Sequence, residues 1–357
     1  MRVLVTGGAG FIGGHLVEAL LDAGRRVRVL DVLLDRAHGP DARPVVDPRA
    51  EFVIGDVRDP GTVARALDGV DAVSHQAALV GNGVDLADLP HYAAHNELGT
   101  AVLLAGMAER GVRALVLASS MVVYGEGRYA CAEHGPVRPA PRQEAELAAG
   151  RFEPGCPFCG IDLSAEAVPE EAPLDPRTAY AASKASQEHL SRAWAIGGGG
   201  NAVALRYHNV YGPRMPSGTP YAGVASLFRS ALERGEPPRV FEDGRQLRDF
   251  VHVGDVAAAC VAAVSALAEG GIDGMVACNV ASGQPHTVGE LAARLAGAVG
   301  GPPPVVTGEY RPGDVRHVLG DPGRASRLLG FRAGTDFGDG VRQLAAAPMR
   351  PAVSRTG

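Results

Sequence analysis

Short apolar runs alternate with amphipathic stretches through the first third of the chain. Residues 2–6, 26–30, 51–54, 72–75 and 114–118 each read as a strand. Between them, residues 11–23, 60–67 and 96–110 carry apolar positions at helical spacing. This alternation predicts an α/β fold: a Rossmann-type parallel sheet covered on both faces. The rhythm breaks over residues 125–177, which are rich in Pro, Gly, Glu and Arg and read as a loop or small subdomain inserted at 126–177. A helix over 178–196, four glycines at 197–200 and a strand over 202–206 restore it. From residue 209 the pattern is mixed. The organisation predicted is a dinucleotide-binding domain over 1–205, a smaller substrate domain over 206–347 and a frayed tail over 348–357.

Composition narrows the class. Of 357 residues, 46% are apolar and 21% charged, which excludes wholesale disorder. The net charge of −6 offers no basic field for nucleic acid. The longest apolar stretch, residues 256–267, is too short to span a bilayer and is rich in alanine. The chain enters its first strand with no leader pattern, so a cytoplasmic location is expected. Five cysteines in such a chain do not suggest a disulfide framework. Cys260 and Cys278 lie in apolar runs and read as buried thiols.

The chemistry begins at Thr6-Gly7-Gly8-Ala9-Gly10-Phe11-Ile12-Gly13, between the first strand and the first helix. Gly7, Gly10 and Gly13 permit a tight turn, close approach of a pyrophosphate and close helix–strand packing. The helix opening at Phe11 and Ile12 offers free N–H groups to phosphate. Asp31, at the end of the second strand, would accept hydrogen bonds from the adenosine ribose and repel a 2′-phosphate, favouring NAD over NADP. Asp56 and Val57 would sit beside the adenine, although Asp56 also reads as a turn or cap residue. Ala77 belongs to a small-residue stretch that would lie against the cofactor, and His75 before it reads either as a packed core histidine or as a contact.

Tyr180 and Lys184 stand four apart, on one face of a helix. A free tyrosine is too weak an acid for proton transfer near neutrality, and lowering its pKa to about 7 takes roughly 4 kcal/mol. A positive charge at ~4–5 Å supplies about that at an effective dielectric near 20. Lys184 and an oxidised nicotinamide are the candidate charges, leaving Tyr180 to move the proton. Ser120 ends the strand over 114–118, at the carboxyl edge where such sheets bind ligands, and can hydrogen-bond the reacting oxygen.

The chain resembles the extended short-chain dehydrogenases/reductases of the NAD-dependent sugar-nucleotide epimerase/dehydratase family, on the UDP-galactose 4-epimerase side. The likeness rests on the glycine loop, Asp31, the run from Ala118 to Gly125, Tyr180 with Lys184, and three later motifs. These are Arg206-Tyr207-His208-Asn209-Val210-Tyr211-Gly212-Pro213, Arg248-Asp249-Phe250-Val251-His252-Val253 and Arg311-Pro312-Gly313-Asp314. It implies Ser120 as the catalytic hydroxyl and Asn96 as a cofactor-side asparagine. It also implies Asn209, Arg248 and Arg311 as contacts to a substrate diphosphate, with Met121 beside the sugar. A homodimer joined by the helices over 96–110 and 178–196 is implied as well. One departure is Val80, where the UDP-galactose enzymes carry a lysine.

The reaction implied is epimerisation at C4 of a nucleoside-diphosphate hexose, through hydride removal, a 4-keto sugar and hydride return. Dehydratases of the family carry Asp-Glu after the catalytic hydroxyl, and decarboxylases a glutamate. Met121 and Val122 stand there and cannot move a proton. A 4-ketoreductase or dehydratase is the rival enzyme, and a non-catalytic NAD-sensing module the rival outside enzymes. Within the insertion, Cys131 with His134 and Cys156 with Cys159 form C-x-x-H and C-x-x-C pairs, suited to a tetrahedral structural zinc. The alternative is a flexible loop with free thiols. A zinc-knuckle-like insertion resembles the subgroup acting on dTDP-L-rhamnose and related 6-deoxyhexoses.

Overall fold

The computed structural model describes residues 1–38, 45–81, 86–218 and 223–350. Seven parallel strands form the central sheet: β1 (Arg2–Thr6), β2 (Arg26–Asp31), β3 (Glu51–Ile54), β4 (Ala72–His75), β5 (Ala114–Ser120), β6 (Asn201–Tyr207) and β7 (Met275–Val280). Their order is β7-β6-β5-β4-β1-β2-β3. Alternation along each strand sorts the core into two layers. Val3, Val5, Val29, Val116 and Val203 pack on the helices Phe11–Asp22 and Val253–Ala268. Leu4, Leu30, Val73 and Leu115 face the other way, against Pro60–Ala66 and Gly99–Arg110, with Leu190 and Trp194 of the helix Ala179–Ile196 alongside.

The predicted strands and helices lie close to where the pattern puts them, and three expectations are corrected. The helix expected over 96–110 begins at Gly99, and Ala93–Leu98 before it is wound as a π-helix. Such wide turns often accompany functional sites. The boundary at 206 is crossed again: the apolar stretch over 256–267 is a buried helix of the sheet domain, and β7 pairs in register with β6. Alanines and Cys260 on that helix give it the thin face that close packing on the first helix requires. The second lobe is therefore built from the remaining pieces, around Tyr211, Phe228, Phe250, Leu291, Phe337 and Val341.

The insertion is ordered. Arg128–Cys131, Gly135–Val137 and Ser164–Val168 form a small sheet that Leu319–Gly320 joins at one edge. Its core is small, of Tyr129, Cys131, Cys156 and Leu163. The expected tail is held at its start. Arg350 donates its N–H to the Met215 carbonyl at 2.9 Å and accepts from the Ser217 N–H at 2.9 Å. Residues 351–357 lie outside the described residues.

Candidate active site

A cavity of about 900 Å³ opens at the carboxyl ends of the sheet strands and runs to the second lobe. At its floor Gly7 has φ +69°, and a Cβ there would stand 2.7 Å from the Ala77 nitrogen. A Cβ on Gly13 would come within 2.1 Å of the Gly7 carbonyl oxygen. No side chain fits either position, so the backbone forms the bare cradle that a dinucleotide pyrophosphate requires. Gly10, Phe11 and Ile12 line the cavity beside it, as do Val57 and Ala77.

Asp31 also lines the cavity, and the glycine loop fixes its carboxylate. One oxygen accepts from the Ala9 N–H at 3.0 Å and the other from the Leu33 N–H at 2.9 Å. Each oxygen keeps lone-pair capacity for a ribose hydroxyl. His38 Nε2 lies 3.7 Å away, and Arg350 donates to the Ala9 carbonyl at 3.0 Å with its Nη2 3.2 Å from His38 Nδ1. Asp56 lines the cavity and is also the turn residue expected: it caps the Arg58 N–H at 2.8 Å, and both its oxygens take the Arg58 guanidinium.

Asn96 stands behind the cofactor wall and does not line the cavity. It is fully buried; its Oδ1 accepts from the Leu79 N–H at 2.7 Å. Its Nδ2 donates to the Leu79 carbonyl at 2.9 Å and to Ser183 Oγ at 2.8 Å. These bonds tie the cavity-lining loop to the helix Ala179–Ile196. Asn96→Ala orphans the N–H and carbonyl of Leu79, while Ser183 keeps its bond to the Tyr180 carbonyl, and is expected to cost about 3 kcal/mol of stability, read from the urea midpoint. His75 is a core histidine. Its Nδ1 lies 2.7 Å from Thr6 Oγ1 and its Nε2 3.0 Å from Thr100 Oγ1. The Thr100 hydroxyl donates to the Asn96 carbonyl, so Nε2 carries the proton. Burial pushes this imidazole down to about 3, and it stays neutral.

The helix Ala179–Ile196 is capped by Thr178, whose hydroxyl accepts from the Ala181 N–H at 3.1 Å. Tyr180 and Lys184 point from one face of it into the cavity wall, with Ser120 opposite. Ser120 lies beside the phenol, and its hydroxyl accepts from the Val122 N–H at 3.3 Å. Lys184 donates to the Ala118 carbonyl at 2.9 Å, with its Nζ 5.9 Å from the centre of the Tyr180 ring. The electrostatics correct the sequence expectation. Burial raises Tyr180 to about 12, against the pull of Ser120, and lowers Lys184 to about 7. The protein's own groups thus keep both side chains neutral more readily than charged, because the site is dry.

At the far end, Met121, Asn209, Arg248 and Arg311 line the same cavity. Asn209 Oδ1 is buried without a partner, an orphan facing ligand space. Arg248 donates to the carbonyls of Leu247, Arg316 and Val315 at 2.7–2.8 Å. Three of its five N–H donors are so engaged, and two remain. Arg311 lies over the Phe241 ring at 5.1 Å. In the insertion, Cys131 Sγ lies 3.6 Å from Cys159 Sγ and 3.5 Å from His134 Nδ1, and Cys156 Sγ 3.7 Å from the same nitrogen. The four ligand atoms all fall within 4.8 Å of one another.

A family model described as the NAD dependent epimerase/dehydratase family matches residues 3–155 and 160–280. The chain belongs to that family. A dTDP-L-rhamnose 4-epimerase of Burkholderia thailandensis is 34% identical over 349 residues, covering 96% of this chain and 93% of the relative. The Thermus thermophilus UDP-glucose 4-epimerase, solved with NAD, superposes with a TM-score of 0.76 at 32% identity, covering 97% of this chain and 98% of that one. A dTDP-glucose 4,6-dehydratase from Streptomyces venezuelae, also solved with NAD, gives 0.75 at 29% identity, covering 97% and 96%.

Family motifs do not point to every residue that shapes the site. Glu188 continues the Tyr180–Lys184 face by one more turn. It takes the Arg206 guanidinium at 2.7 and 2.9 Å and the Ser119 hydroxyl at 2.5 Å. The spacing 180, 184, 188 was a usable signal for it. Arg350 had none, because only the folded chain brings it to the glycine loop. No helix among the described residues is long and apolar enough to cross a membrane.

Proposed function

We propose that the enzyme inverts C4 of a nucleoside-diphosphate hexose, with a dTDP-6-deoxyhexose as the favoured substrate. The observation that carries this reading is the wall around Tyr180, where Ser120 is followed by Met121 and Val122, which have no proton to give at C5 or C6. The 34% identity to a dTDP-L-rhamnose 4-epimerase supports the choice of sugar. The glycine cradle and Asp31 would hold NAD, which supplies hydride acceptance and return when bound. Tyr180 takes the proton of the 4-hydroxyl and gives it back, Ser120 holds the same oxygen, and Lys184 fixes the electrostatics beneath them. Asn209, with its orphan oxygen, and the free donors of Arg248 and Arg311 bind the diphosphate end. The enzyme works in the cytoplasm as a homodimer joined through Gly99–Arg110 and Ala179–Ile196.

The insertion holds a structural zinc in the same reading. The edge of a tetrahedron is about 1.63 times its bond length, so Zn–S near 2.3 Å and Zn–N near 2.0 Å imply ligand separations of roughly 3.5–3.8 Å. Three of the six separations among Cys131, His134, Cys156 and Cys159, at 3.5, 3.6 and 3.7 Å, fit that figure, and all six lie within 4.8 Å. Four protein ligands fill the coordination sphere, so the metal takes no part in the sugar chemistry.

The test is a panel of UDP- and dTDP-hexoses in deuterated water without added reductant, followed by NMR and mass spectrometry. A 4-epimer with no deuterium and no mass change is expected. Loss of water with deuterium in the sugar would make the enzyme a dehydratase. Turnover only with added NADH or NADPH would make it a ketoreductase.

A further inference from the structure

The insertion meets the substrate end of the cavity through a web of buried charge. Arg316 is fully buried, and its guanidinium is shared by three carboxylates. It donates to Glu153 at 2.5 and 2.9 Å, to Glu242 at 2.7 Å and to Asp243 at 2.8 and 3.0 Å. The other Glu153 oxygen lies 2.8 Å from His317 Nε2, while His317 Nδ1 accepts from the Leu247 N–H at 2.9 Å. That acceptance puts the His317 proton on Nε2, facing Glu153. Two threads therefore run from Glu153 to the neighbourhood of Arg248. One passes through Arg316, whose own carbonyl receives Arg248 at 2.7 Å. The other passes through His317 to Leu247, whose carbonyl receives Arg248 at 2.8 Å. From the other half of the knuckle, the Tyr129 hydroxyl accepts from the His317 N–H at 3.1 Å.

The two threads and the Tyr129 link all start beside candidate metal ligands. Glu153 is three residues before Cys156, and Tyr129 two before Cys131. The core beneath them consists of Tyr129, Cys131, Cys156 and Leu163, so two of its four members are themselves candidate ligands. A core this small stabilises its loops weakly, and a tetrahedral metal would join both halves.

We propose that Glu153 and Arg316 are positioning residues for the diphosphate clamp, and that metal in the Cys131, His134, Cys156, Cys159 knuckle holds them in register. The inference rests on the diphosphate and zinc assignments proposed above. The two free donors of Arg248 point where the carbonyls of Leu247, Val315 and Arg316 leave them. Glu153 sets those carbonyls from the far side. The knuckle thus reaches the substrate through the protein, without touching it.

The test uses the full-length, NAD-loaded protein, with dTDP and UDP as probes of the clamp by calorimetry. Zinc is measured by elemental analysis and NAD by absorbance after release. Reversible chelation and Glu153→Gln are each expected to weaken nucleotide binding tenfold or more, with NAD content unchanged. Zinc should restore the chelated protein and leave Glu153→Gln weak; Glu153→Asp should recover part of the loss. With substrate, the change should fall on KM more than on kcat. Zinc bound stoichiometrically with nucleotide affinity indifferent to its removal, or to Glu153→Gln, overturns the inference alone. A protein that binds no zinc overturns the metal assignment and the coupling together. Failure of the zinc-loaded protein to bind either nucleotide overturns the substrate reading and the coupling with it.

Discussion

Tyr180→Phe is expected to lower kcat by a factor of 10²–10⁴, the range removed when a positioned acid–base group is lost. The substitution keeps the ring against Tyr92, whose centre lies 6.0 Å away, and deletes only the hydroxyl. Bound NAD and nucleotide affinity should stay within a few-fold of the parent, since neither rests on the phenol. Initial rates on the parent's substrate, with NAD content measured in parallel, decide it. Near-parental turnover would place the proton carrier elsewhere. The protein's own groups push Tyr180 up to about 12, so they do not prepare a phenolate at neutral pH. The positive nicotinamide ring of oxidised NAD acts in the direction that lowers it. In the proposed reaction, competence as a base is thus tied to the oxidised cofactor, and return of the proton to the reduced one.

Lys184→Met should give a protein that is inactive yet more stable near pH 7. Burial lowers Lys184 from its ordinary value of 10.5 to about 7, so the folded state discourages its charge. Between pH 7 and 10.5 the unfolded chain holds this proton more tightly than the folded one. Stability from this group therefore rises as pH climbs through that window and is lowest below pH 7. At roughly 1.4 kcal/mol per unit, relief of the buried ammonium is worth a few kcal/mol, offset in part by the orphaned Ala118 carbonyl. Urea midpoints of both proteins from pH 6 to 10 check the sign. The parent should gain on the variant as pH rises, and parallel curves would mean that Lys184 is not desolvated.

Much of this was legible in the chain. The glycine loop, Asp31 and the Tyr180–Lys184 pair are local patterns whose spacing already states their geometry, so their place on one cavity wall followed from them. Asn96 was legible as a special residue but not in its task, because a motif match cannot say whether an amide faces the ligand or the wall behind it. The Tyr180 shift was misjudged for a different reason. Charge proximity can be read from spacing, whereas desolvation depends on everything packed around the site. The web of Glu153, Arg316 and His317 joins positions more than 160 residues apart and leaves no periodic trace. The same holds for the boundary at 206, since β7 returns to the sheet by pairing with β6.

The hold of Arg350 on the glycine loop also bears on the order of folding. Arg350 and Ala9 meet across 341 positions of sequence. Closing a loop that long costs chain entropy before the contact returns anything. The sheet can assemble from strands that lie nearer one another in the chain, and the rim of its cofactor cleft is then expected to close after the sheet has formed.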